Sequence, residues 1–149
     1  MEKFRSRPKG DYIENTKWQE LYVLAEHWKS DLLFYRDDLK FLHHLIEKYF
    51  IWIVKRDDLE KVRTVGSALL KDDRECAELL DKVDKHMAHI ADFIEDHIKN
   101  GGQDFRKEHE KLEDDIALFV RKVRENRKQV FSVTEHLMDS EKLEYLLKD

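Results

Sequence analysis

Residues 18–53, WQELYVLAEHWKSDLLFYRDDLKFLHHLIEKYFIWI, decide the fold. Their apolar side chains recur at Trp18, Leu21, Ala25, Trp28, Leu32, Tyr35, Leu39, Leu42, Ile46, Tyr49 and Ile53, at intervals alternating between three and four residues. An α-helix turns once in about 3.6 residues, so this alternation gathers the series into a single stripe, the pattern of helices packed at a shallow angle. Thr16 and Gln19 have the spacing of a capping box and start the helix, which the stripe carries to about Val54.

Lys55, Arg56, Asp57 and Asp58 then fill the positions where the next apolar residue is due, and Asp57 with Glu60 is a fresh N-terminal cap. A tight reversal is therefore expected at 55–58. The second stripe reads Leu59, Val62, Gly66, Leu69, Asp73, Cys76, Leu80, Val83, Met87, Ile90, Ile94 and His97, and it ends at Asn100-Gly101-Gly102, a loop signal. Asp72 with Glu75 is a second capping pair inside this segment and offers a place to split it. A third helix opens near Asp104, with Phe105, His109, Leu112, Ile116, Phe119, Val123, Asn126, Val130, Val133 and Leu137 on one face. Residues 140–148 either extend it or form a short fourth helix. The fold expected is all-α, an elongated up-down-up bundle of three long helices, as residues 12–149 in one domain behind a basic arm at 1–11.

Composition agrees. The 149 residues hold four Gly and one Pro, too few for the many turns of a β-rich fold, and 41% are charged. The net charge of −5 supplies no overall positive field, so neither nucleic acid nor an anionic membrane is expected as a partner. The opening MEKFRSRPKG has charges where a secretory leader needs an apolar core, and the uncharged apolar run from Tyr49 to Val54 is far too short for a membrane span. A soluble, cytoplasmic protein is expected. The single Cys76 excludes an intramolecular disulfide and a thiolate metal cluster.

Of the sixteen aromatic residues, nine lie in the first helix. Beside its main stripe runs a second series, Phe34, Phe41, Leu45 and Trp52, spaced seven, four and seven residues and hence aligned on another side. Two neighbouring helices cover only part of that girth. The remainder is covered either by residues 140–148 or by another chain, which makes these four residues the candidate binding face for a protein partner or a second copy in a homodimer.

Eight histidines raise a metal-binding alternative. His27, His44 and His89 fall away from the stripes and His97 and His109 on them, while His43, His86 and His136 flank them. Hairpin geometry about turns near 56 and 103 sets residue n of the first helix opposite about 113 − n on the second and about 93 + n on the third. That ruler brings His97 to His109 beside the glycine pair, and His43 to His136 with Glu47, Asp73 and Asp139 at hand. Imidazoles and carboxylates converging from several helices suit a transition metal, so His97, His109, His43, His136 and Glu47 are the candidate ligands. The Glu-x-x-His motif of carboxylate-bridged bundles is absent, however, and hydrogen-bonded histidines at the bundle ends are the simpler account of each cluster.

No glycine-rich phosphate loop, nucleophile elbow or His-Glu-x-x-His occurs, and nothing implies a cofactor. Arg36, Asp37 and His43 resemble the Arg-to-His spacing of the all-helical HEPN ribonucleases, a resemblance that implies RNA cleavage by Arg36 and His43. Asp73 and Asn126, polar residues on apolar stripes, read as devices that fix helix register. The sequence names no reaction. A non-enzymatic interaction or scaffold protein is the leading expectation, ahead of a metal- or small-ligand-binding bundle and a helical ribonuclease.

Overall fold

A computed structural model of the chain describes residues 18–50, 56–96 and 102–147, with side-chain surroundings for 18–50, 58–92 and 105–139. The described residues form three α-helices packed against one another, α1 (Trp18–Phe50), α2 (Arg56–Asp96) and α3 (Gly102–Leu147), and include no strand. The alternative of a split at Asp72 is not taken: α2 is continuous, and Asp72 is only 2% exposed. Its carboxylate is taken up by a neighbouring helix instead of capping its own. Nor is there a fourth helix among the described residues, because α3 continues to Leu147. Asp57 and Asp58, expected in a reversal ahead of α2, lie in its first turn, where a carboxylate is favoured by the partial positive charge of the helix N-terminus. Trp52, His97 and the 1–11 arm lie outside the described residues.

On α1 the expected stripe faces inward: Leu21, Ala25, Trp28, Leu32, Leu39, Leu42 and Ile46 are buried, joined by Leu24. On α3 it does so along its length, from Phe105 to Leu137, with Asn126 half-buried. On α2 the buried series is Asp58, Val62, Val65, Leu69, Asp72, Cys76, Leu79, Val83, His86 and Ile90. It shares every second member with the expected stripe. At the others it is displaced by one residue, so that Asp58, Val65, Asp72, Leu79 and His86 replace Leu59, Gly66, Asp73, Leu80 and Met87, which are half-buried. Val65 brings to the interior an apolar side chain that Gly66 lacks. The three polar members, Asp58, Asp72 and His86, recur every fourteen residues, and each meets a polar residue of α3.

The described residues divide into two compact units, each built from all three helices. The first comprises 18–34 of α1, 75–96 of α2 and 102–120 of α3. Its interior is aromatic and aliphatic, centred on Trp28, Ile90, Ile116 and Phe119, with Cys76 Sγ donating to the Leu32 carbonyl at 3.4 Å. Lys29 on α1 and Asp84 on α2 pair at 2.8 Å at its rim.

The second unit comprises 35–50, 56–74 and 121–147. Leu39, Leu42, Leu69 and Val130 are fully buried in it. Polar contacts join its helices in all three combinations. His43 on α1 donates to Asp73 on α2 at 2.6 Å, Asn126 on α3 donates to Asp72 on α2 at 2.7 Å, and Arg127 on α3 donates to Asp38 on α1. Such cross-helix bonds are direction-sensitive in a way that apolar contacts are not, and they discriminate between neighbouring helix phases.

Candidate functional site

In the first unit, a layer of aromatic rings crosses the interior from all three helices. His86 on α2 and His109 on α3 have no solvent exposure, and their Nε2 and Nδ1 atoms lie 2.7 Å apart in a hydrogen bond. Phe105 stacks on His86 with centroids 4.9 Å apart. Trp28, fully buried on α1, lies against His109 at 4.4 Å and is near-parallel to His86 at 6.5 Å. Outward of Phe105 comes Trp18, edge-on at 5.3 Å, and over Trp18 the Arg106 guanidinium at 4.4 Å. The helical repeat explains the layer: His86 and His109 occupy positions of the α2 and α3 stripes where the other members are mostly aliphatic, so their rings are delivered to the interior whether or not they are polar.

One bond satisfies one nitrogen of each ring. His86 Nδ1, His109 Nε2 and the Trp28 indole N–H, all buried, have no hydrogen-bond partner among the described residues. The nearest charge is Glu108, half-exposed, whose Oε1 lies 3.4 Å from His86 Nδ1. That carboxylate favours the tautomer in which His86 Nδ1 bears hydrogen and His109 Nδ1–H donates to His86 Nε2. Burial holds His86 below the usual histidine range, with Glu108 opposing it in part. Burial, the adjacent His86 and Arg106 push His109 down to about 3. Both rings are therefore neutral at pH 7. Glu113, one turn beyond His109 and 6% exposed, adds a carboxylate to the same interior.

His109 thus has His86 opposite it, eleven positions before the expected His97, which lies outside the described residues. His86 was legible only as a flanking residue, and the signal for it is the fourteen-residue recurrence of polar residues at 58, 72 and 86.

The other candidate ligands are in the second unit. His43 Nε2 is held by Asp73, and His136 Nε2 donates to the 5% exposed Asp58 at 3.1 Å. Each imidazole engages a different carboxylate, while Glu47 is exposed. Among the described residues no three His, Cys, Asp or Glu side chains gather as a ligand set. Asn126, read as a register device, does bond across helices, but its partner is Asp72; Asp73 serves His43. Arg36 and Asp37 are exposed on α1.

On the candidate binding face, Phe34 is 63% and Phe41 52% exposed, and Leu45 is half-buried. Both phenylalanines belong to α1 and are separated by seven residues, two helical turns, so the helix presents them on one side. None of the described helices is long and apolar enough to cross a membrane. No protein-family model, curated protein or solved structure matches the chain.

Proposed function

We propose that this is a non-enzymatic interaction protein, an up-down-up three-helix bundle that docks a second protein surface on the aromatic side of α1, through Phe34, Phe41 and Leu45. The exposure of Phe34 and Phe41 carries this reading. At these exposures each phenylalanine forgoes roughly half of the 1.5–3 kcal/mol that full burial is worth, a loss that association recovers. The up-down-up order is supported within the first unit, where contacts between α1 and α3 advance together from Trp18–Phe105 to Trp28–His109, while those between α2 and α3 run oppositely, from His89–Phe105 to His86–His109.

A second copy of the chain is the simplest partner, because a two-fold dimer covers the same patch on both molecules. Cys76, held as a thiol donating to a backbone carbonyl, fits a reducing compartment such as the cytoplasm. Sedimentation over a concentration series tests the reading. The wild-type chain should associate reversibly and Phe41→Glu should be monomeric. A monomeric wild type together with no change in the binding of any cellular protein on Phe34→Glu/Phe41→Glu substitution overturns it.

A further inference from the structure

The part of α2 in the first unit carries two overlapping apolar stripes. Both contain Cys76, Val83 and Ile90; one is completed by Leu79 and His86, which are buried, the other by Leu80 and Met87, which are half-buried one residue further along. Changing from one to the other turns the helix by roughly 50°, half the angle between successive residues, about the shared series. Counted by apolar side chains, the unused stripe is the better one, since it offers Met87 in place of a histidine. What selects the stripe observed is the set of contacts His86 makes: the 2.7 Å bond to His109, the Phe105 ring stacked at 4.9 Å, and Trp28 behind both.

These contacts depend on charge. The bond between the imidazoles needs one bare nitrogen to accept, and two protonated rings have none. The groups that face His86 are few. Its own helix contributes His89; α3 contributes His109 and Glu108, whose carboxylate is 3.4 Å from Nδ1, while Arg106 acts on His109 and the buried Glu113 lies one turn beyond it; α1 contributes the uncharged Trp28 ring, with Lys29 paired to Asp84 at the rim. Glu108 offers one exposed carboxylate to a cation at His86, and nothing equivalent is shown for Nε2 of His109. Among the described residues no third ligand gathers beside the pair to make a metal site of it.

The geometry points to an acid-sensitive phase switch in α2: the His86–His109 bond between neutral rings holds Leu79 and His86 inward, and protonation of the pair releases α2 to bury Leu80 and Met87 in their place. Leu79 and His86 then move to the flank, where a charged imidazole is hydrated and stays beside Glu108. The switch changes which residues of α2 meet water while the backbone hydrogen bonds inside the turning part are kept, the change of angle being taken up as twist where that part joins the rest of the continuous helix. It is independent of the α1 docking reading, since none of Phe34, Phe41 and Leu45 takes part.

Thiol accessibility in the full chain tests it. Met87→Cys and Leu79→Cys, each in a Cys76→Ala background, are reacted with a disulfide reagent at about pH 7.5 and about pH 4.5, on either side of the solution histidine value, with rates scaled to a free thiol and helicity followed by circular dichroism. Acidification should slow the reaction at position 87 and speed that at 79, each by roughly tenfold, with helicity retained. Adding His86→Leu/His109→Leu should make both rates independent of pH. Rates that rise together at both positions, or that do not change, overturn the proposal. If either thiol variant does not fold, attenuation of the Met87 methyl resonance of the wild-type chain by a soluble paramagnet takes its place. That attenuation should fall on acidification, and a constant or rising value overturns the switch.

Discussion

His86 and His109 share a 2.7 Å hydrogen bond between two rings that are wholly removed from solvent. His109 thereby satisfies one nitrogen and strands the other, whereas the second nitrogen of His86 has only the Glu108 carboxylate at 3.4 Å, and an unsatisfied buried polar atom costs about 1–3 kcal/mol. Stacking against Phe105 and Trp28 offsets part of that cost. The pair thus contributes less to stability than to selection: it disfavours any packing of α2 that removes His86 from His109 while leaving the partner buried.

Acid should destabilise the protein through this pair. His109 has its value lowered to about 3 by burial, so the unfolded chain binds its proton first. The stability contributed is fully present above the unfolded value of about 6.5 and is lost as pH falls from there toward 3. At pH 5 the loss from His109 is about 2 kcal/mol, and His86, shifted in the same direction, adds to it. Denaturant titrations at pH 7.5 and 5 measure the difference, and His86→Leu/His109→Leu should shrink it to what the remaining groups supply.

Leu32 and Leu39 are fully buried on α1, one in each unit. Leu→Ala at either should cost about 2–5 kcal/mol by equilibrium unfolding, the sum of lost transfer free energy and the cavity left behind. A near-zero cost at both sites is incompatible with the α1 stripe as described.

Gly66 sits inside α2, half-buried, and a Cβ built on it meets no atom within 4 Å. Nothing about its surroundings requires glycine. Gly66→Ala should therefore stabilise the protein by about 0.5–1 kcal/mol, the difference in helix propensity, and raise Tm.

Asp72 and Asn126 form a part-buried bond across α2 and α3. Asn126→Leu leaves the carboxylate of Asp72 with one donor fewer in the interior and should cost about 2–4 kcal/mol, whereas Asp72→Leu/Asn126→Leu should recover most of that loss. A double-mutant cycle checks the coupling. Additive losses would show that the two side chains act independently.

The reading of α1 and α3 from sequence succeeds because each carries a stripe apolar enough to leave one choice of phase. On α2 the two phases compete: Leu59, Leu80 and Met87 argue for one, while Val65 and Leu79 argue for the other, and the decision falls to Asp58, Asp72 and His86, whose partners lie on α3. Polarity alone places such residues outside. Their burial follows only when His136, Asn126 and His109 are known to stand opposite, and that depends on a register that a turn estimate misses by two to three helical turns. By contrast, that Phe34 and Phe41 share one side of α1 is legible from their spacing of seven, whereas what covers that side is not.

Histidine ring resonances followed by NMR between pH 3 and 8 test the central claim, the burial of His86 against His109, most directly. The resonances of His86 and His109, assigned by single substitution, should hold their neutral positions through the solution histidine value of about 6.5 and change only together with the turn of α2 that carries His86 to the flank. Titration of both His86 and His109 near 6.5 in the folded protein would contradict the buried pair and, with it, the phase assigned to α2.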